Sequence, residues 1–370
     1  MIDENAGIRQ YMVKSDCTFL YKYSYFFPVE GVGDMTVKIK DVAKRAGVSV
    51  TSVSRVLNGE KYVSEDILAR VNEAIEELKY SPSHIARSLK KQKTNTIGVI
   101  VPDLTSNFYS TILSSIEENA SKYGYNLIVC NIAENLSKEL KYLYIFQEMR
   151  VEGIIIMHEK TNDDIVSFVQ NATMPILFSS VKSPDPTFMS VLIDDYQAAF
   201  DATEYLIDAG HTAISYLGGD LQDITSGQSR YNGFRDALIK HEIAINPDYI
   251  KFGDYKLPSG QALMKELLAL PNRPTVVFAA SDDMAVGALN CALDQGLHVP
   301  DDISIIGFDG STITNIVRPA ITSMQQPIYE MGQISLESLH KLITRPKTQQ
   351  KTDIVLQHEL VVRDSCKKIN

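Results

Sequence analysis

The chain has 370 residues, 44% of them hydrophobic and 22% charged, with a formal net charge of −10. That length suits two or three domains with real cores, and the composition excludes a disordered or fibrous chain. No apolar run reaches the ~18 residues needed to cross a bilayer, so no membrane partner is expected.

An acidic total would count against a nucleic-acid partner, but the charge is unevenly spread. Residues 35–95 hold twelve Lys/Arg and seven Asp/Glu, a net +5, while residues 1–34 carry −2 and residues 96–370 carry −13. A small basic segment is joined to a large acidic body. Cys17, Cys130, Cys291 and Cys366 form no CxxC pair. That argues against a disulfide framework or structural zinc and for a reducing cytoplasm. The N-terminus lacks a basic start followed by an apolar core, so no secretory signal is expected.

Residues 1–35 show no clean period and are expected to be a disordered extension outside the fold, with a partner-binding arm as the alternative. Three short helical patterns follow. In "IKDVAKRAG", Ile39, Val42, Ala43 and Ala46 share one face and Gly47 stops the helix. In "GVSVTSVSRVLNG", Ser49 is a good N-cap and Val53, Val56 and Leu57 make the apolar stripe. In "SEDILARVNEAIEELKY", Ser64 is placed to cap, and Ile67, Val71, Ile75 and Leu78 run at helical spacing. Two helices joined through Gly47 and backed by a third make a helix-turn-helix over 36–80. Residues 81–95 read as a linker holding one short helix, because Pro82 starts a helical piece and the composition then turns basic.

From Thr96 the pattern becomes alternating strands and helices. Apolar, β-branched runs occur at 96–103, 126–133, 153–157, 174–180, 190–194, 213–219, 275–282 and 303–310. Near-continuous apolar strands separated by helices imply parallel sheets buried on both faces. The fold class is therefore α/β, a helix-turn-helix headpiece followed by a body of two doubly wound subdomains. Ligands in such folds bind beyond the carboxyl ends of the strands. Asp103, Ser180, Asp194, Asp220, Asp282 and Asp309 sit at those ends. No Walker loop, GxGxxG, GxSxG, HExxH or metal-spaced histidine cluster occurs, so no enzyme activity, cofactor or metal is expected.

"IKDVAKRAGVSVTSVSRVLNG", "ELKYSPSHIARSL" and "TIGVIVPDLTSNFYS" resemble the LacI/GalR family of transcription regulators. So do "FAASDDMAVGAL", "GLHVPDDISIIGFDG" and "RPAITSMQQP" in the body. Within the family the body is most similar to the catabolite control proteins of Gram-positive bacteria. The resemblance implies a homodimer on a near-palindromic double-stranded operator, a repressor of carbohydrate genes, and a periplasmic-binding-protein-like body over 96–365. It divides the body into about 96–193 plus 323–350, and about 194–322 plus 351–365.

It also implies site residues. Val50, Thr51 and Arg55 occupy base-reading positions, and an arginine can hold guanine O6 and N7 bidentately. A phosphate contact or a solvated arginine is the competing reading. Ser49, Ser54 and Asn58 are candidate DNA contacts, with N-capping the alternative for Ser49. Lys38 stands where relatives often carry a capping Thr. Lysine cannot cap, so a phosphate contact with a fraying helix end is expected. In the hinge, Ser81, Ala86 and Leu89 match minor-groove positions, with Leu89 as an intercalating wedge. A leucine there could equally be core.

In the body, Arg230 matches a cleft arginine, Asp309 its acidic partner and Tyr255 a stacking aromatic, with Phe108, Tyr109, Ser180 and Asp282 as further lining. Guanidinium and carboxylate together suit sugar hydroxyls, so a sugar or sugar phosphate effector is expected. Helix capping is the competing reading for Asp282, and an interdomain salt bridge the competing reading for Arg230. Asp223 stands where a purine-binding branch has an arginine. Serine-phosphorylated HPr is the alternative effector, with Tyr329 retained at its docking helix. There Glu337 replaces an arginine and would repel a phosphoserine. A sugar-binding protein without DNA function is the remaining alternative.

Overall fold

The computed structural model describes residues 37–57, 63–80, 93–158, 160–345 and 352–369. The expected N-terminal extension, Asn58, and the hinge residues Ser81, Ala86 and Leu89 lie outside them. Two compact units are present, residues 1–83 and 84–370.

In the first unit, helices α1 (Ile39–Ala46), α2 (Val50–Leu57) and α3 (Glu65–Glu77) bury a small core. Its centre is Val42, Ala43, Ala46, Val53, Val71 and Ala74. The apolar stripes read from helical spacing supply most of it, and Ala74 joins them. Gly47 ends α1 at φ 62°, where a side chain would be strained. Arg70 from α3 then donates to the carbonyls of Ala46, at 2.6 and 3.0 Å, and Gly47, at 2.9 Å. These bonds satisfy carbonyls that the helix end leaves open and pin the turn between α1 and α2. Ser49 caps α2, accepting from Ser52 N at 3.0 Å. Two capping expectations change. Ser64 makes no capping bond through its side chain. Lys38 cannot cap, yet its own backbone N–H donates to Asp41 at 2.8 Å, so one half of a capping box holds that helix end.

The second unit contains two six-stranded sheets, of order β11-β5-β4-β3-β1-β2 and β12-β10-β9-β8-β6-β7. The first holds β1 (Thr96–Val101), β2 (Asn126–Asn131), β3 (Gly153–Ile156), β4 (Ile176–Ser179), β5 (Met189–Ile193) and β11 (Ile354–Leu356). The second holds β6 (Ile214–Gly218), β7 (Ile250–Phe252), β8 (Val276–Ala279), β9 (Ser304–Asp309), β10 (Thr322–Gln325) and β12 (Glu359–Val361). All pairings are parallel except β10 with β12. The eight expected strands are present. Alternate residues of β1 face opposite cores: Ile97, Val99 and Val101 enter one, Ile100 the other. Burial on both faces explains the near-continuous apolar runs.

Helices α4 (Asn107–Lys122), α5 (Leu136–Glu148) and α6 (Asp163–Asn171) connect the first sheet. Helices α7 (Asp195–Asp208), α8 (Arg230–Lys240), α9 (Leu257–Leu268), α10 (Asp282–Asp294) and the short α11 (Ile313–Ile316) serve the second. Helices α9 and α10 approach very closely. A Cβ on Gly260 would lie 2.3 Å from Met284 O, and one on Gly287 2.1 Å from Leu257 O. Helix α12 (Ile328–Thr344) returns to the first sheet, where Ser335 donates to Ser179 at 2.8 Å.

The expected subdomain limits need correction. Strand β10 pairs with β9 (Thr322 opposite Ile306), so the return to the first lobe falls after Gln325, not at 323. Strand β11 pairs with β5 (Ile354 opposite Val191), so residues after 351 belong first to the first lobe and only then to the second. Three-residue strands such as β11 and β12 carry no pattern of their own; partners distant in sequence select their sheet. The body also runs past 365, since Ile369 N donates to Ala209 O at 2.8 Å.

Candidate functional site

Helix α2 presents Val50, Thr51 and Arg55 at the surface of the first unit, along with Ser49 just before its first turn. Thr51 and Arg55 are four residues apart and share a face. Val53 points the other way, into the core, and Ser54 is half-buried. Val50 is 40% exposed, which is unusual for a valine on a helix that has a core to face. An exposed threonine, valine and arginine on one short capped helix match what a thymine methyl and a guanine edge require. Lys38, at the start of α1, is also exposed.

The second unit holds a cavity of about 490 Å³. Its position follows from topology. In each sheet the strand order reverses at one point, between β1 and β3 in the first and between β6 and β8 in the second. Chains leaving those four strand ends diverge and leave a crevice. All four line the cavity: Asp103 to Tyr109 after β1, His158 and Lys160 after β3, Asp220 to Arg230 after β6, and Ser281 to Asp283 after β8.

Arg230 heads α8 directly after a π-helical turn, Ile224–Ser229, and is 6% exposed. Its Nε donates to Asp195 at 2.7 Å and its Nη1 to Ala280 O at 2.6 Å. Asp309 lies 3.6 Å from Nη1, and the Phe308 ring centroid is 3.9 Å from the guanidinium carbon. Burial works against the charge, but Asp195 and Asp309 outweigh it and hold the guanidinium above its ordinary pKa. Its acidic partners belong to the same lobe, so the interdomain salt bridge considered for Arg230 is not what it makes. Ion pairs across the cleft come from other residues: Lys160 with Asp220 at 2.9 Å, and Lys256 with Asp103 at 3.7 Å.

Asp309 sits at φ 116°, in backbone space unusual for a side-chain-bearing residue. Gln326 holds it there, donating through its side chain at 2.8 Å and its backbone at 3.0 Å. Burial raises the Asp309 pKa well above the carboxylate range, Arg230 opposing and Asp282 reinforcing. Asp282 accepts from Ser311 N at 2.6 Å, Ser311 Oγ at 2.8 Å and Ser323 Oγ at 2.6 Å. Ser281, not Asp282, caps α10 through Met284 N. Asp282 therefore ties the cleft floor together, and burial pushes its pKa up to about 6 against those donors.

This sets a pH dependence. The folded pKa lies above the unfolded value of about 3.9, so the carboxyl favours folding in its protonated form. That contribution is complete below about pH 4 and is lost as pH rises through about 6. Wild type compared with Asp282→Asn in thermal melts should show a difference that changes across this window and levels off above it. A constant difference from pH 4 to 7 would contradict the assignment.

The aromatic walls come from both lobes. Phe108 and Tyr109 pack edge to face with ring centroids 5.2 Å apart. Burial raises the Tyr109 phenol, reinforced by Tyr255 and Asp309. Tyr255 lies over the end of β6 at φ 63°, and a Cβ on Gly219 would meet its ring at 2.0 Å. Ser180, at φ 64°, reaches the cavity from β4.

The cavity thus gathers Phe108, Tyr109, Ser180, Arg230, Tyr255, Asp282 and Asp309. Of the acidic groups at strand ends, Asp194 is not among them: it caps α7 through Gln197 N, and its neighbour Asp195 faces the arginine. Asp195, Phe308, His158 and Lys160 were not singled out from sequence, since nothing local distinguishes them from core or surface residues.

Comparison with known proteins agrees with both units. Residues 38–83 match the family model for bacterial regulatory proteins of the lacI family. Residues 94–363 match that for periplasmic binding proteins and the sugar binding domain of the LacI family. Catabolite control protein A of Priestia megaterium is 37% identical over 333 residues, 90% of this chain and all of the relative. The Lac repressor dimer bound to operator and the anti-inducer ONPF superposes with TM-score 0.81 at 28% identity, covering 90% of this chain and 99% of that one. The complex of the transcriptional regulator CelR with cellobiose gives 0.67 at 29% identity, covering 89% and 99%. A capped helix-turn-helix joined to a two-lobed body with a polar cleft at its switch points is that family's architecture, and the chain belongs to the LacI family of DNA-binding transcriptional regulators.

Proposed function

We propose that the protein represses carbohydrate-utilisation genes as a homodimer on a near-palindromic operator, and that a sugar in the cleft alters how tightly it holds DNA. The observation carrying the effector reading is Arg230. It is a buried guanidinium flanked by Asp195 and Asp309, in a cavity that Tyr109 and Tyr255 also line. Such a set offers charge-assisted donors and acceptors with aromatic faces, which sugar hydroxyls and ring C–H groups match. Val50, Thr51 and Arg55 are the proposed base-reading residues, Lys38, Ser49, Ser54 and Asn58 are further DNA contacts, and Ser81, Ala86 and Leu89 form the hinge. Because its target would be chromosomal DNA, the proposed location is the cytoplasm.

Direct control by phosphorylated HPr is not part of the proposal. Glu337 on α12 already accepts from Gln333 at 2.9 Å, and its carboxylate would face a phosphoserine unfavourably. The test is selection of operators from a near-palindromic DNA pool, followed by gel shifts with and without a sugar panel. Selected sites whose binding changes with a sugar are expected. Failure to select any site, or shifts indifferent to every sugar, would overturn it.

A further inference from the structure

Among the described residues, the first lobe's wall of the cavity contains two polar groups without a hydrogen-bond partner. His158, just beyond β3, is 5% exposed, and its Nδ1 lies 2.6 Å from Glu139 of α5. Glu139 is wholly buried. Among the described residues, neither His158 Nε2 nor the Ser180 hydroxyl has a hydrogen-bond partner. Both residues line the cavity, and their strands, β3 and β4, are neighbours in the sheet. Buried polar groups are almost always satisfied, so a pair of orphans from adjacent strand ends needs an explanation. Burying a carboxylate behind one of them is costlier still, and is uncommon where only packing is at stake.

Glu139 explains the geometry. The Glu139 carboxylate at Nδ1 holds the ring in one orientation and turns Nε2 to the cavity, where it can accept a hydrogen bond in the neutral ring or donate one in the protonated ring. A sugar hydroxyl, which both donates and accepts, suits either form. The surrounding charge narrows the choice. Asp223 and Glu134 also line the cavity. Around the whole cavity eight carboxylates (Asp103, Glu134, Asp220, Asp223, Asp254, Asp282, Asp283, Asp309) face three cationic side chains (Lys160, Arg230, Lys256). Lys160 is engaged by Asp220, Lys256 by Asp103 and Arg230 by Asp195. Among the described residues of the lining, each cation is thus already paired with a carboxylate and carboxylates outnumber cations, which disfavours a phosphate or an acidic sugar.

We propose that His158, held by Glu139 and joined by Ser180, forms a second subsite opposite Arg230 that hydrogen-bonds a hydroxyl of an unphosphorylated, non-acidic sugar. The assignment rests on the sugar reading of the cleft and sharpens it: the effector carries hydroxyls, not an anion, at this end.

Calorimetric titration of the full chain tests it, with ribose, cellobiose, ribose 5-phosphate and glucose 6-phosphate as probes. A neutral sugar should bind, with its phosphorylated counterpart at least tenfold weaker. His158→Phe, which fills the space without a ring nitrogen, should weaken neutral-sugar binding at least tenfold. Glu139→Gln serves as the second variant if His158→Phe fails to fold, and should also weaken binding by releasing the ring. Thermal melts without ligand check the fold of each. Unchanged neutral-sugar affinity in both variants, or tighter binding of the phosphorylated sugars, would overturn the subsite while leaving the sugar reading intact. Binding of no sugar of either kind would overturn the sugar reading itself and this assignment with it.

Discussion

Arg55→Ala should sharply reduce discrimination between operator and unrelated DNA while leaving weak, salt-sensitive binding in place. A bidentate arginine–guanine contact contributes about 1–3 kcal/mol of discrimination. A dimer with one such contact per half-site would then lose roughly 30-fold to about 20,000-fold in specific affinity. The arginine stands on the exposed face of α2, one turn after Thr51, on a helix held by the Ser49 cap and by Arg70 at the preceding turn. The loss should therefore come from base recognition, with the headpiece fold retained. Gel shifts against the selected operator and a scrambled duplex, across a salt series, measure it. Equal loss on both duplexes would mean that Arg55 contacts phosphate, since phosphate contacts weaken all sequences alike.

Arg230→Ala should have a double effect on the body. Sugar binding should be lost, because the central donor of the cleft is gone. Stability should also fall by about 3–5 kcal/mol, because Asp195 and Asp309 are left buried beside no countercharge. Asp195 is 5% exposed and Asp309 8%, so water reaches neither freely. For a unit of this size the melting temperature should drop on the order of 10 °C. Arg230→Lys separates the two effects. It restores a positive charge and part of the stability, but a lysine cannot reach Asp195, Ala280 O and Asp309 in one plane, so sugar binding should stay impaired. A melting temperature unchanged in Arg230→Ala would show that water or neighbouring groups compensate the carboxylates, and would weaken the account of the site.

Local pattern decided much of this protein. Helical spacing placed Val42, Val53 and Val71 in the headpiece core, and alternation of apolar runs with helices identified both parallel sheets. Motif resemblance supplied the family and singled out Arg230, Tyr255 and Asp309, which the structure brings to one cavity. These features were legible because each rests on neighbours within a few turns or one strand, where periodicity and capping act.

Tertiary structure decided the rest. Strands β11 and β12, three residues each, are too short to carry a pattern, and pairing with strands as much as 163 residues away assigns them to their sheets. Arg70 reads as a surface arginine until packing aims it at the Ala46 and Gly47 carbonyls. Asp195 was passed over for Asp194, since the first turn of α7 determines which of two adjacent carboxylates points inward. His158 and Glu139 are 19 residues apart on a strand end and a helix, and they become a buried pair only when α5 packs on the sheet. Short-range order follows from the chain's own periodicity, whereas the partners of a buried charge are chosen by whichever distant element the packed core brings beside it.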